Sequence, residues 1–390
     1  MLLTRRHLLL GIGSSLVASK ISAAEKSCAD TPQITYSPEK KFLVEGDEAL
    51  KVRASNRRII FGAYSELGYQ TLSQDQSFRD AMIRECNLLV GHFLWGRNRP
   101  TPEEFNFDDL DAVYTFALDQ KMLFQGMTLV WHIFIPQWLE DIFNRTETSV
   151  QDLQNILVKS ISTTVKRYNK AYSWIVVNEA IEPTDGREDG LRITPWLSHL
   201  GADYIELAFR TAAEANPEAL LIYNEYGLEH DSPTDEARRS ATLKLLEHLK
   251  SKDVPIHALG IQSHLVGHQY NSSFNGLRCF LKSVSDLGLK VMITELDVSD
   301  EQLPADITLR DHQVAAVYEN YLSAVLSEPA VVAVLSWGLS DRYTWLSAED
   351  ARSDGLPLRP LPLDEFMNRK LAWNAIARAI DACPDRQVGV

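Results

Sequence analysis

A single eight-stranded parallel α/β barrel, the (β/α)8 or TIM barrel, is the fold this sequence predicts, on three observations. Eight short apolar runs recur along the chain. Segments with apolar residues three and four apart separate them. No linker, low-complexity stretch or second compositional zone divides the sequence. Runs that are apolar throughout suit strands buried on both faces, and alternation with helices makes such strands parallel. Eight repeats close a barrel.

The runs are, in order, RIIFGAY (58–64), CNLLVGHFL (86–94), KMLFQGMTLVW (121–131), SWIVVNEA (173–180), ALLIYNEY (219–226), IHALGIQSH (256–264), KVMITELDV (290–298) and VVAVLSWGL (331–339). Between the third and fourth, Val150, Leu153, Ile156, Leu157, Ile161, Val165 and Tyr168 fall on one face, so 150–168 is expected to be a helix. Alanine-rich 205–215 and charged 233–252 read the same way. A doubly wound open sheet is the competing architecture. It wants a glycine-rich phosphate loop after the first strand, and FGAYSELG is not one. The expected organisation is a barrel over 58–383, preceded by an N-terminal extension over 25–57.

Residues 1–24 read as an export signal. Arg5-Arg6-His7 precedes the apolar run LLLGIGSSLVA and a small-residue stretch ending ISAA. Paired arginines before a short apolar run resemble the twin-arginine type. Cleavage after Ala24 removes Arg5, Arg6 and Lys20, taking the formal charge from −14 to −17. So acidic a surface repels phosphate backbones, and nucleic acid is not an expected partner. No later segment is long and apolar enough to cross a membrane, so the exported protein is expected in the periplasm or outside the cell, as a monomer. The four cysteines, 28, 86, 279 and 383, show no metal-ligand spacing. In an exported barrel Cys28 can pair with Cys383, both ends lying near each other; four separate thiols are the alternative.

Chemistry on such a barrel sits at the C-terminal ends of the strands. From the third run on, those ends carry Trp131-His132, Asn178-Glu179, Asn224-Glu225-Tyr226, Gln262-Ser263-His264, Glu295-Leu296-Asp297 and Trp337-Gly338, with Asp341, Arg342, Tyr343 and Trp345 following. So many polar groups at buried positions cost free energy unless they partner one another. Glu179 and Glu295 belong to runs that face each other across the mouth. Two carboxyls about 5.5 Å apart are what glycosidic cleavage with retention needs: one protonated to serve the leaving oxygen, one ionised to attack. An imidazole, His264, held by Asp297, keeps Glu295 anionic. Glu179 has the neutral Asn178 beside it and is the better acid. Asn178 can also reach a sugar 2-hydroxyl. Trp131, Trp138, Trp337 and Trp345 lie in or beside these loops, and flat indoles suit the apolar faces of sugars.

WHIFIPQW, WIVVNEAIE, YNEY, GIQSHL, ITELDV and SWGLSDRYTWL occur in this order and resemble the motifs of glycoside hydrolase family 10, mainly retaining endo-β-1,4-xylanases on a (β/α)8 barrel. The resemblance runs from about residue 58 to 380. It implies Glu179 as acid/base and Glu295 as nucleophile, with His264 and Asp297 supporting the nucleophile. It implies Asn178, Gln262 and His132 around the sugar at the cleavage point, with Trp337 and Trp345 as its platform. Asn224 joins the supporting set, and Tyr226, Trp131, Trp138 and Arg342 the substrate-binding set. No metal or cofactor is expected; the partner is a polysaccharide.

One departure matters. After its second strand the family usually carries a Glu-Asn pair and a Lys close before a Trp, binding sugars on the non-reducing side. Here Val90 to Leu94, VGHFL, precede Trp95, and Met127 stands where the family often has His. Arg97, Arg99 and His92 are the candidates to replace the lost contacts. The resulting expectation is a retaining endo-acting β-glycosidase on xylan or another β-linked polysaccharide. A transglycosylase and a non-catalytic carbohydrate-binding protein are the alternatives.

Overall fold

The computed structural model describes residues 37–269 and 272–386. The proposed export signal and Cys28, one half of the suggested disulfide, lie outside the described residues. Strands β1 (Ile60–Tyr64), β2 (Leu88–His92), β3 (Leu123–Met127), β4 (Ser173–Asn178), β5 (Leu220–Glu225) and β6 (Ala258–Ile261) pair in sequence, all parallel. A short β7 (His264–Val266) follows, then β8 (Lys290–Ser299) and β9 (Val331–Ser336). β6 pairs with β8, β8 with β9 and β9 with β1, so eight parallel strands close into a barrel and β7 lies along the far end of β8.

Each expected run contains one barrel strand. The helices at Val150–Arg167, Asp203–Ala215 and Pro233–Ser251 match the amphipathic segments. Ser149 and Ser232 cap two of them, accepting from the backbone N–H of Asp152 and Asp235. Three features differ from the sequence expectation. The third run breaks at Met127 and rejoins β4 only through Leu129 and Val130, whose N–H groups donate to Ile175 and Val176 carbonyls. The sixth run splits at Ser263 into β6 and β7. The segment taken as an extension contains a helix, Leu50–Asn56. It is fastened to the barrel by the buried Glu85, whose carboxylate accepts from Leu50 N–H and from Trp373 Nε1, both at 3.0 Å.

Two apolar layers hold the barrel. Leu88, Val90, Met127, Ile175, Ile222, Ala258, Met292, Ala333 and Leu335 fill its interior below Trp337. The larger layer lies between strands and helices and includes Phe124, Trp174, Val176 and Tyr168. Strict alternation would let each strand send only every second residue to the mouth. Both β4 and β8 break it. β4 shifts register against β5 between Ile175 and Val177, so Val176 and Val177 both pack outward and Asn178 turns inward. β8 shifts against β9 between Ile293 and Leu296, so Thr294 and Glu295 both reach the interior side and Leu296 and Val298 pack outward. A bulge re-aims a side chain in this way.

The β3–β4 contact depends on Gly126. A Cβ there would meet the Trp174 ring at 2.2 Å. Gly126→Ala is expected to destabilise the fold by about 1–3 kcal/mol, because the fully buried indole would have to shift to admit the methyl group. Urea unfolding measures it, and an unchanged midpoint would show that the ring can shift without cost.

Candidate active site

Glu179 follows β4 and takes a left-handed backbone, φ 57°. That conformation is uncommon for a residue with a Cβ, and it lets two successive residues, Asn178 and Glu179, face the same space. Two contacts hold it. Glu179 N–H donates to the Asn224 carbonyl at 2.9 Å, and Arg192 Nε donates to the Glu179 carbonyl at 2.9 Å. Ser263, φ 68°, does the same between β6 and β7, turning Gln262 toward one carboxylate and His264 toward the other.

The carboxylates share one network. Glu179 Oε1 accepts from Gln262 Nε2 at 2.8 Å and from Asn178 Nδ2 at 3.0 Å, and Oε2 accepts from Trp131 Nε1 at 2.8 Å. Asn224 Nδ2 donates to both Asn178 Oδ1 and Glu295 Oε1, each at 2.8 Å. Its Oδ1 accepts from Thr294 Oγ1 at 2.7 Å. His264 Nε2 faces Glu295 Oε2 at 3.3 Å, and its Nδ1 faces Asp297 Oδ1 at 2.9 Å. Trp345 Nε1 donates to Asp297 Oδ2 at 2.7 Å. Glu179, Glu295 and Asp297 are all buried.

Burial raises the Glu179 carboxyl above its ordinary value. The donors Gln262 and Trp131 oppose it, the Glu295 charge adds to it, and Arg192 subtracts. Burial works against a charged His264, yet the Asp297 and Glu295 carboxylates outweigh it and lift the ring well above the ordinary 6.5. An imidazolium between two carboxylates donates to both. Glu225, at the end of β5, is fully buried and driven by burial up to about 8. It braces the loop after β4 by accepting from Ile181 N–H at 3.0 Å.

Of the residues singled out in the sequence, Asn178, Glu179, Asn224, Gln262, His264, Glu295, Asp297, Trp131 and Trp345 are brought together. Both ends of the Asn178 amide are engaged within the protein, so the expected bond to a sugar hydroxyl would require it to exchange a partner. Trp337 stacks on Tyr64, ring centres 4.3 Å apart, beside His264. His132 stands next in chain to Trp131 but makes no bond to the network. Its Nδ1 is buried without a partner, and burial lowers the ring to about 4.

Three of the singled-out residues lie outside this network. Trp138 lies against Arg99, with Nε1 donating to the Arg99 carbonyl, and packs on the outer core. Arg342 ties its loop to the Asp75 carboxylate and the Glu365 carbonyl. Tyr226 is held between Arg192 and Arg238 and accepts from Arg192 Nη2, behind the Glu179 loop. In each case a cation or carbonyl near in space claims the side chain. Arg99 is likewise not available to a ligand. It is 1% exposed and donates to the Ile156 and Pro102 carbonyls. Arg97 is exposed, 3.9 Å from Asp109. His92 alone of the three candidates joins the rings at the mouth. Sequence reasoning missed Tyr64, which the strand-end rule applied to the first run would have found. It also missed Thr294 and Arg192, for which the sequence carries no signal.

The family described as Glycosyl hydrolase family 10 matches residues 50–379. The chain belongs to glycosyl hydrolase family 10. It is a glycoside hydrolase, and several of its relatives are named as endo-1,4-beta-xylanases. Endo-1,4-beta-xylanase B of Thermotoga neapolitana is 30% identical over 303 residues, 77% of this chain and 83% of the relative. The crystal structure of native xylanase 10B from Thermotoga maritima superposes with a TM-score of 0.74 at 29% identity, over 85% of this chain and 98% of that one. Xylanase 10B from Thermotoga petrophila, solved with xylobiose, gives 0.75 at 28%, over 87% and 99%. The family 10 match begins at Leu50, on the helix that Glu85 fastens to the barrel.

The raised His264 makes stability depend on pH. Its folded value lies above the unfolded one, so the stabilisation is complete below about 6.5 and is lost as pH rises through the folded value. The gap in unfolding free energy between the wild type and His264→Gln should therefore be widest below about pH 6.5 and narrow as pH rises above it. A gap constant across urea titrations on both sides of that pH would mean that the folded ring is neutral.

Proposed function

We propose that the protein is an exported, retaining, endo-acting β-1,4-glycosidase of the xylanase type, with Glu179 as acid/base and Glu295 as nucleophile. The observation that carries the assignment is the unequal donor pattern on the two carboxyls. Glu295 accepts from an amide N–H and faces an imidazolium, which favours the anion. Glu179 takes only neutral N–H donors, two on Oε1 and one on Oε2, so no cation bonded to its carboxyl opposes a proton on Oε2. Burial favours that proton.

In the first step Glu295 attacks the anomeric carbon, the glycosidic C–O bond breaks, and Glu179 passes its Oε2 proton to the leaving oxygen. A covalent glycosyl-Glu295 ester results. In the second step the Glu179 carboxylate takes a proton from water, the water oxygen attacks the same carbon, and Glu295 departs with net retention. The donors on Glu295 balance its charge before attack and after release. This chemistry calls for no metal or cofactor. Export rests on Arg5-Arg6 and the apolar run behind them. Xylan as substrate rests on the named relatives.

Glu295→Gln should lower kcat on xylo-oligosaccharides by about 10⁴-fold or more with unfolding behaviour intact; turnover near wild type would remove it as nucleophile. Glu179→Ala should suppress cleavage of xylan far more than cleavage of an aryl glycoside with an acidic phenol, since only the former needs a proton. Equal losses would rule out the acid role. Arg192 faces Glu179 with a positive charge that lowers its pKa, whereas Glu295 raises it. Arg192→Met should accordingly move the alkaline limb of kcat/KM to higher pH. An unmoved limb would assign it to another group.

A further inference from the structure

Gln262, which serves Glu179, and His264, which serves Glu295, are separated by one residue, Ser263. There the chain leaves one strand for the next. β6 ends at Ile261, paired with Ile293, and β7 starts at His264, paired with Asp297. Left-handed Ser263 marks the place where they part. Its N–H donates to Glu229 Oε1 at 3.0 Å, and its hydroxyl meets the Tyr321 hydroxyl at 2.5 Å. Glu229 lies in the loop after β5, and Tyr321 on the helix Ile307–Val325. Neither bonds to Glu179 or Glu295.

Both anchors are themselves held. Glu229 is buried, and its Oε2 accepts from Leu228 N–H at 2.8 Å. The Leu228 carbonyl in turn accepts from Arg239 Nη1 at 2.8 Å. Fully buried Tyr321 meets Phe274 edge-on, ring centres 5.3 Å apart. Burial pushes the Glu229 carboxyl above its ordinary value, the N–H donors of Ser263 and Leu228 oppose that, and the Asp235 charge adds to it. A buried carboxyl with no cation bonded to it is a costly way to fasten one turn. What it secures is the direction of two neighbouring side chains. A left-handed residue with a Cβ relaxes unless its surroundings hold it. Were Ser263 to relax, Gln262 and His264 would turn away together.

We propose that Glu229 and Tyr321 are positioning residues which, through Ser263, hold the donors of both catalytic carboxyls at once. The proposal rests on the glycosidase reading above and adds the groups that set its two protonation states. It carries a joint signature. Without the Gln262 bond Glu179 keeps its proton to higher pH, because that donor opposes protonation. Retreat of the His264 imidazolium removes the charge that favours the anion on Glu295. Both limbs of the kcat/KM profile therefore move to higher pH. The other charges facing the pair, Arg192 and Glu225 near Glu179 and Asp297 near Glu295, keep their own anchors.

The test is the pH profile of kcat/KM on xylo-oligosaccharides for Glu229→Met, Glu229→Gln and Tyr321→Phe. Active sites are counted by a 2-fluoro glycosyl label on Glu295. Glu229→Met should raise both limbs by about half a pH unit or more. Glu229→Gln keeps one acceptor for the Ser263 N–H and should restore most of that shift. Tyr321→Phe keeps the ring and loses only the hydroxyl, so it is expected to fold, with both limbs raised by less. A merely structural role would lower the count of labelled sites and move neither limb. A limb left in place by Tyr321→Phe, or by Glu229→Met where it folds, would overturn the proposal, as would a Glu229→Gln profile no closer to wild type than that of Glu229→Met. If Glu229→Met does not fold, Tyr321→Phe decides alone. Limbs unmoved on an active enzyme remove the positioning role and leave the glycosidase standing. A wild type that cuts no oligosaccharide and takes no label removes both.

Discussion

Carboxylates can stay buried at the mouth of this barrel only because each has a donor waiting for it, and one amide connects the two that face each other. Asn224 reaches from β5 to Glu295 and, through Asn178, to the surroundings of Glu179. Its own orientation is set by the Thr294 hydroxyl. Gly260 on the neighbouring strand makes room: a Cβ there would sit 2.2 Å from Asn224 Oδ1. Strand pairing, a missing side chain and a single hydroxyl thus decide which way one amide points. That orientation decides which carboxyl receives an N–H. An unpaired carboxylate at this depth would instead neutralise itself by taking a proton.

The geometry is obtained by breaking regular structure at chosen points. A strand cannot present adjacent side chains to one space. Here it does so through register shifts in β4 and β8 and through left-handed residues at Glu179 and Ser263. A left-handed residue with a side chain costs of order 1–3 kcal/mol and persists only when its surroundings over-determine it. Glu179 is held at both its N–H and its carbonyl, and Ser263 by the Glu229 carboxylate and the Tyr321 hydroxyl. The packed helices behind those partners are the source of that stability, far from the reacting atoms.

Much of this was legible in the sequence, for reasons that are physical. Apolar runs with no polar face announce buried parallel strands, and the polar residues that end them have to partner one another. That logic identifies Glu179, Glu295, His264, Asp297, Gln262 and Asn224. It does not say which loop residues point inward. Trp138, Arg342 and Tyr226 belong to the correct loops, yet arginines and carbonyls distant in sequence draw them elsewhere. Arg192 lies 13 residues beyond the glutamate whose carbonyl it holds, in a stretch with no periodicity to mark it. The split of β6 and the break in β3 were equally invisible, because a run of apolar residues does not record where its backbone turns.

Trp131 and Trp345 flank the network from opposite loops, and an indole has a single N–H. Each has committed it to a carboxylate, Glu179 in one case and Asp297 in the other. Neither ring can swing without giving up that bond, so both surfaces are held before a saccharide arrives. The ordering entropy that association usually has to overcome was met when the chain folded, and binding here should be governed by contact enthalpy and by water released from the rings.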